Sequence, residues 1–199
     1  MPSREFLAAG RFALCALVSA PCLARAEAPL PPESPVNVKF DAPTGHFSEN
    51  IRQAPCASTQ LHTDNRIDKA YPDPGGKWAS VVQIVINQTE PLGTQATLIL
   101  LPAEHAQIEL RKYSYQRAVD EIPFSAQASL GKSIDVTLSW TAEGSLSIIV
   151  NRSERHTIAL GEPVRTVKFT SSGAKVEFDN VQFDAPASAR QCGSKRTDI

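Results

Sequence analysis

Residues 133–183, SIDVTLSWTAEGSLSIIVNRSERHTIALGEPVRTVKFTSSGAKVEFDNVQF, decide the fold class. Ile134, Val136, Leu138 and Trp140 alternate with Ser133, Asp135, Thr137, Ser139 and Thr141. A period of two sends one face into a core and the other towards solvent or a ligand. Ala142-Glu143-Gly144 supplies a tight turn, with Gly144 free to take positive φ. Leu146, Ile148 and Val150 repeat the pattern up to a turn at Asn151-Arg152-Ser153. Ile158 and Leu160 mark a third strand, closed by Gly161-Glu162-Pro163. Val167 and Phe169 mark a fourth, closed by Ser171-Ser172-Gly173. Val176 and Phe178 lead into Asp179-Asn180, read as a bulge or turn, and Val181 and Phe183 resume the alternation. Short strands in series with turn signals between them predict an antiparallel sandwich or barrel.

Working back towards the N-terminus, Val36 to Phe40 alternates and predicts a first strand near 37–41. Asp41 to Lys77 lacks periodicity and predicts a long loop, with one helical turn over Ser48 to Gln53 and Cys56 as a pin. Trp78 to Ile86 (WASVVQIVI) and Ala96 to Leu101 (ATLILL) are nearly continuous apolar runs, predicting central strands covered on both faces. A further strand is expected at 106–116, and Ala118 to Lys132 reads as a connection around Pro123. The later strands fall near 133–141, 145–151, 154–160, 164–170 and 175–183. The expected fold is all-β, a two-sheet antiparallel β-sandwich occupying residues 37–185.

Outside that domain, residues 1–26 read as a secretory signal peptide. Arg4 and Arg11 make a positive start, Phe12 to Leu23 an apolar stretch, and Ala24-Arg25-Ala26 a cleavage site after Ala26. The apolar run is shorter than the roughly 20 residues of a membrane span. Residues 27–36 carry Pro29, Pro31, Pro32 and Pro35 and form an extended leader. Residues 186–199 are a small, polar tail. The expected address is the periplasm or cell exterior. Cleavage leaves Cys56 and Cys192, which in an oxidising compartment predict one disulfide tying the tail to the loop. Loss of Arg4, Arg11, Arg25 and Glu5 changes the formal charge from −1 to −3, with 17 basic against 20 acidic residues. That balance lacks the basic stripe of a nucleic-acid binder.

The order of motifs from Trp140 to Phe183 resembles secreted concanavalin A-like (laminin G-like) jelly rolls. The features that carry it are the Val150-Asn151 hairpin and the closing strand Phe178-Asp179-Asn180-Val181. Arg152 stands where those families often have Gly. The resemblance implies a jelly roll from a superfamily of glycan-linked proteins and supplies no catalytic residue. Glucanases of the superfamily carry Glu-x-Asp-x-x-Glu on one strand. Here Asp120-Glu121 lacks that spacing, and adjacent strand residues point to opposite faces. Glu109-Leu110-Arg111 resembles part of an alginate lyase signature, but Gln83-Ile84-Val85 lacks that family's His. No nucleophile elbow, P-loop or dinucleotide fingerprint occurs. The chain therefore reads as an exported non-catalytic module for glycan or an envelope partner. The alternatives are a lyase-like carbohydrate-active enzyme and a scaffold with no small ligand.

The candidate binding surface is Gln107 to Arg117 (QIELRKYSYQR). If the strand is regular, Glu109, Arg111, Tyr113 and Tyr115 share one face, opposite Ile108 and Leu110. Tyrosine rings stack on sugar CH faces, while Arg and Glu bond hydroxyls. The competing reading is a solvated face holding a Glu109–Arg111 pair. His46, His62, His105 and His156 show no metal-ligand spacing and no CxxC occurs, so no cofactor is expected from a motif. Calcium bound by sandwich loops would draw on Asp64, Asp68, Asp73 or Asp179, among which no motif selects.

Overall fold

The computed structural model describes residues 34–55, 58–71, 73–87, 93–102 and 106–184. The regular elements among them are all β-strands: β1 (Val36–Gln53), β2 (Gln60–Ala70), β3 (Val81–Ile86), β4 (Thr94–Leu101), β5 (Gln107–Ser114), β6 (Arg117–Gln127), β7 (Ser133–Trp140), β8 (Ser145–Val150), β9 (Glu154–Ala159) and β10 (Thr166–Phe183). The hydrogen-bonded path runs β6-β5-β4-β3-β10-β2-β7-β8-β9, with β1 on β10, and the ladders are antiparallel.

β10 changes partner midway. Residues 167–172 pair with β3 and residues 174–183 with β2. β1 follows it along both halves, with Lys39 opposite Glu177 and Asn50 opposite Phe169. One strand pair thus belongs to two sheets. The front sheet is β6-β5-β4-β3 with the first half of β10 and the second half of β1. The back sheet is β9-β8-β7-β2 with the remaining halves. Gly173 marks the crossover on β10 at φ 60°, and a Cβ there would meet the Ser80 Cα at 3.3 Å. β1 shifts register between Ala42 and Phe47, beside the same bend.

The inward faces of the two sheets enclose one apolar cluster. Ile84, Leu98 and Leu110 of the front sheet are fully buried, as are Val136, Leu138 and Ile148 of the back sheet. Each such side chain contributes roughly 1.5–3 kcal/mol by leaving water. The rings of Phe169 and Phe178, from opposite sheets, have centroids 4.9 Å apart. At one side of the sandwich, β6 meets β9. Glu154 accepts hydrogen bonds from the Ser125 amide at 2.8 Å and hydroxyl at 2.7 Å. Phe124 packs edge-on against His156 at 4.7 Å.

The two-sheet architecture agrees with the expectation from sequence, and three segments correct it. The loop expected from Asp41 to Lys77 contains the rest of β1 and all of β2, and Ser48 to Gln53 is strand rather than a helical turn. β2 escaped notice because its inward row is Leu61, Thr63, Asn65 and Ile67, half of it polar yet wholly buried. Those polar groups are satisfied: Asn65 donates to the Ile134 carbonyl at 3.1 Å and Thr63 to that of Asp179 at 3.2 Å. The connection expected from Ala118 to Lys132 is largely β6, an edge strand where Pro123 needs no ladder donor. The fourth and fifth strands of the opening stretch are one strand, because Gly173 bends the chain without reversing it. The Asp179-Asn180 bulge is present, with Asn180 at φ 55° and a register shift between Asp179 and Gln182. The signal segment 1–26, most of the leader 27–36, the tail 186–199, Cys56 and Cys192 lie outside the described residues.

Gly144 in the β7–β8 turn sits at φ 81°, and an added Cβ would fall 2.2 Å from the Glu162 amide nitrogen. Gly144→Ala is expected to cost at least about 2–3 kcal/mol, read as a lowered urea midpoint. The hydrogen bonds from Ser125 hold the Glu154 carboxyl below its ordinary value. A depressed carboxyl stabilises the fold above its unfolded value of about 4.3, and that contribution is lost as pH falls through the folded value. Glu154→Gln should therefore flatten the fall in melting temperature below about pH 4.5, and an unchanged profile would exclude the β6–β9 clasp as its source.

Candidate functional site

Period-two geometry gives the front sheet an outward face, and the register sets its rows. One row runs Thr170, Gln83, Ile99, Glu109, Pro123, and the next Lys168, Val85, Thr97, Arg111, Glu121. Gln95 and Tyr113 stand opposite each other in a third. Among the described residues no element packs over this face. Several of its side chains are nonetheless withdrawn from solvent: Thr97, Thr170, Ile99, Val85 and Glu109 are all buried. Their taller neighbours Gln83, Gln95, Arg111 and Tyr113 are only partly exposed and screen them.

At the centre of the face, Arg111 Nη2 lies 2.6 Å from Glu109 Oε1, and Arg111 Nε lies 3.5 Å from Glu121 Oε1. Charge is paired here, but hydrogen-bond direction is not. Glu109 Oε1 and Arg111 Nε are both buried atoms without a properly directed partner. Each keeps one unused bonding direction, the carboxylate oxygen as acceptor and the guanidinium nitrogen as donor. Burial opposes the Arg111 charge, and the Tyr113 hydroxyl with the Glu109 and Glu121 carboxylates outweighs it, so the guanidinium pKa is raised. Gln95 donates to Thr97 at 3.1 Å and Thr170 to Gln83 at 3.3 Å, so the surrounding polar side chains are held in place.

Of the residues expected from sequence, Glu109, Arg111 and Tyr113 share this face. Tyr115 does not. β5 ends at Ser114, and Tyr115 and Gln116 form a two-residue hairpin turn at φ 50° and 64°. Tyr115 therefore stands at the tip of the β5–β6 hairpin, among the most exposed large side chains of the protein. Sequence reading missed Gln83, Gln95, Thr97, Glu121 and Lys168. Gln83 and Thr97 sit inside apolar runs read as core on both faces, and Glu121 falls in a segment read as a connection. Gln83 within WASVVQIVI and Thr97 within ATLILL, each the one polar side chain among the outward positions of its strand, were weak signals that the outer face is not core.

The calcium candidates are dispersed. Asp73 accepts three backbone amides, from Gly75, Lys77 and Trp78, and caps its own loop. Asp68 pairs with Arg66 at 2.9 Å. Asp64 and Asp179 face each other across β2 and β10 on the outward side of the back sheet.

No family model matches the sequence, and no curated protein matches it. Solved structures with a similar fold include the Caenorhabditis elegans galectin LEC-6, at 12% identity and TM-score 0.50, covering 74% of this chain and 96% of that one. The carbohydrate binding module CBM66 from Bacillus subtilis matches at 10% identity and TM-score 0.50, over 77% of this chain and 98% of its own. A Bacillus licheniformis beta-glucanase matches at 8% identity and TM-score 0.51, over 75% and 78%. The fold is a jelly-roll β-sandwich of the concanavalin A-like kind. At these identities the likeness carries the fold and no residue role. Among the described residues, no helix is long and apolar enough to cross a membrane.

Glu109 depends on Arg111 for its countercharge, whereas the Glu121 side chain is 55% exposed. Arg111→Met should cost about 1–3 kcal/mol by stranding a buried carboxylate. Glu121→Gln should cost under about 0.5 kcal/mol. Chemical denaturation of both variants checks the order.

Proposed function

We propose that this protein is an exported, non-catalytic module that binds glycan on the outward face of the front sheet, through Glu109, Arg111 and Tyr113. The observation that carries the reading is the Glu109–Arg111 pair: mutually neutralised, largely buried, and with acceptor and donor capacity left unused on a face no described element covers. A sugar hydroxyl both donates and accepts, so it can engage a carboxylate oxygen and a guanidinium nitrogen together. Tyr113 beside them offers a ring for the CH face of a pyranose. The strand-borne positions favour preorganisation, which lowers the entropy lost on binding.

Export rests on the signal-like segment 1–26. The same reading includes a Cys56–Cys192 disulfide. Its support is Asp184, which accepts bonds from the Ser58 hydroxyl at 2.6 Å and the Gln60 amide at 2.6 Å. Asp184, two residues before the tail, is thus held beside Ser58 and Gln60, two and four residues after Cys56. Intact mass before and after reduction and alkylation tests the bond.

Affinity electrophoresis of the purified mature protein against bacterial and algal polysaccharides tests the binding. Retention is expected, with Tyr113→Ala weakening it at least tenfold, about 1.4 kcal/mol, and Tyr115→Ala leaving it within about twofold. Equal loss in both variants would move the site to the hairpin tip. Shortening of a retained polysaccharide would replace the binding module with a carbohydrate-active enzyme using Arg111. Indifference to every polysaccharide would favour a scaffold.

A further inference from the structure

We propose that His62, Asp64 and Asp135, on the outward face of the back sheet, form a binding site for a zinc-like divalent cation. The three residues come from two neighbouring strands, with Asp64 directly opposite Asp135 in the β2–β7 ladder. One ligand atom from each lies within 4.8 Å of the other two. His62 Nε2 is 3.7 Å from Asp64 Oδ2. Ligands on a tetrahedral zinc, bonded at about 2.0–2.2 Å, stand about 3.4 Å apart, so small side-chain rotations on fixed strands close the set.

Each ligand is held by a different outer group. Thr137 bonds His62 Nδ1 at 3.2 Å, which leaves Nε2 facing the carboxylates. Asn180 donates to Asp64 Oδ2 at 3.0 Å. Arg152 donates to Asp135 Oδ2 at 2.9 Å. Outer partners of this kind fix imidazole tautomer and carboxylate direction in metal sites.

The observation that points to a ligand is Asp135 Oδ1, a buried atom with no hydrogen-bond partner. Its side chain is only 14% exposed. A carboxylate oxygen in that position ordinarily accepts a bond. Electrostatics agree: Asp179, Asp64 and Asp135 follow one another across β10, β2 and β7, and like charges directly opposite repel. Arg152 lies close enough to act on both Asp135 and Asp64, and Lys39 and Arg66 act on Asp179, so a dication at the cluster would compete with Arg152 for the two carboxylates. One imidazole with two carboxylates suits zinc and other first-row dications, whereas calcium and magnesium take oxygen ligands alone. The site lies on the sheet opposite the proposed glycan face, so the two readings stand or fall separately.

The test is calorimetric titration of the purified, untagged protein with zinc chloride in chelator-free buffer. One ion per chain is expected to bind. His62→Gln and Asp135→Asn should each weaken binding at least tenfold, and calcium chloride should bind the unaltered protein at least tenfold more weakly than zinc. His62 lies on an outward face and Asp135→Asn keeps the side-chain shape, so both variants should hold the fold, checked by circular dichroism. No saturable uptake up to ~100 µM zinc would overturn the proposal. So would zinc binding that His62→Gln leaves unchanged, which would assign the ion to another histidine, or calcium bound as tightly as zinc.

Discussion

The structure depends on a single strand that must satisfy two sheets at once. β10 carries three ladders: β1 along its length, β3 on one half and β2 on the other. Its buried inward row reads Val167, Phe169, Ser171, then Ala174, Val176, Phe178, then Val181, Phe183. Within each group the spacing is two; between groups it is three. A straight strand would send Phe169 and Phe178, nine residues apart, to opposite sides. Both point into one core because the three-residue step between them contains Gly173 at φ 60°, and Asn180 at 55° makes the same correction for Val181 and Phe183. A one-residue slip would turn every inward group outward, so these two positions fix the register of the whole sandwich.

That constraint explains which elements could be read from the chain. β7 and β8 were legible because four and three inward positions in a row are apolar, and the tight turn between them needs Gly144. The phase changes along β10 were visible as turn-like residues, but Ser171-Ser172-Gly173 was taken for the end of a strand. Sequence does not distinguish a bend that passes the chain to the facing sheet from a hairpin that reverses it. β2 was illegible for a different reason: Thr63 and Asn65 occupy core positions by bonding backbone carbonyls, and hydropathy gives no credit for a satisfied polar group. β1, laddered only to β10, and β6, laddered only to β5, are edge strands with much of their length exposed, so their apolar content is low.

The candidate surface follows the same logic. Glu109, Arg111 and Tyr113 were found by counting in twos along one strand, which works while the strand lasts. Tyr115 was misplaced because the count crossed a hairpin whose turn residues, Tyr-Gln, are not the usual Asn-Gly type. The rest of the face comes from neighbouring strands, and only pairing brings it together. Thr97 lies opposite Arg111 and Glu121 opposite it on the other side. His62, Asp64 and Asp135 are the extreme case, since Asp64 and Asp135 are about seventy positions apart in the chain and no local spacing joins them.

The two outward faces differ in how their charges are settled. On the back sheet, outside the His62, Asp64 and Asp135 cluster, Lys39, Glu177, Arg66 and Asp68 form a chain of short ion pairs, 2.5–2.9 Å, at side chains that remain in contact with water. Such pairs are screened and individually worth little. On the front sheet, the central pair is drawn below its neighbours, and its atoms keep unmet hydrogen-bond directions. Burying that pair without completing its bonds lowers stability. The sandwich core is complete without it, because Ile108 and Leu110 on the same strand already fill the inward side. Folding therefore does not require Glu109 and Arg111 on that face. That face is not needed for the core, and its central pair leaves one acceptor, Glu109 Oε1, and one donor, Arg111 Nε, without partners, a cost the fold carries for no gain in packing.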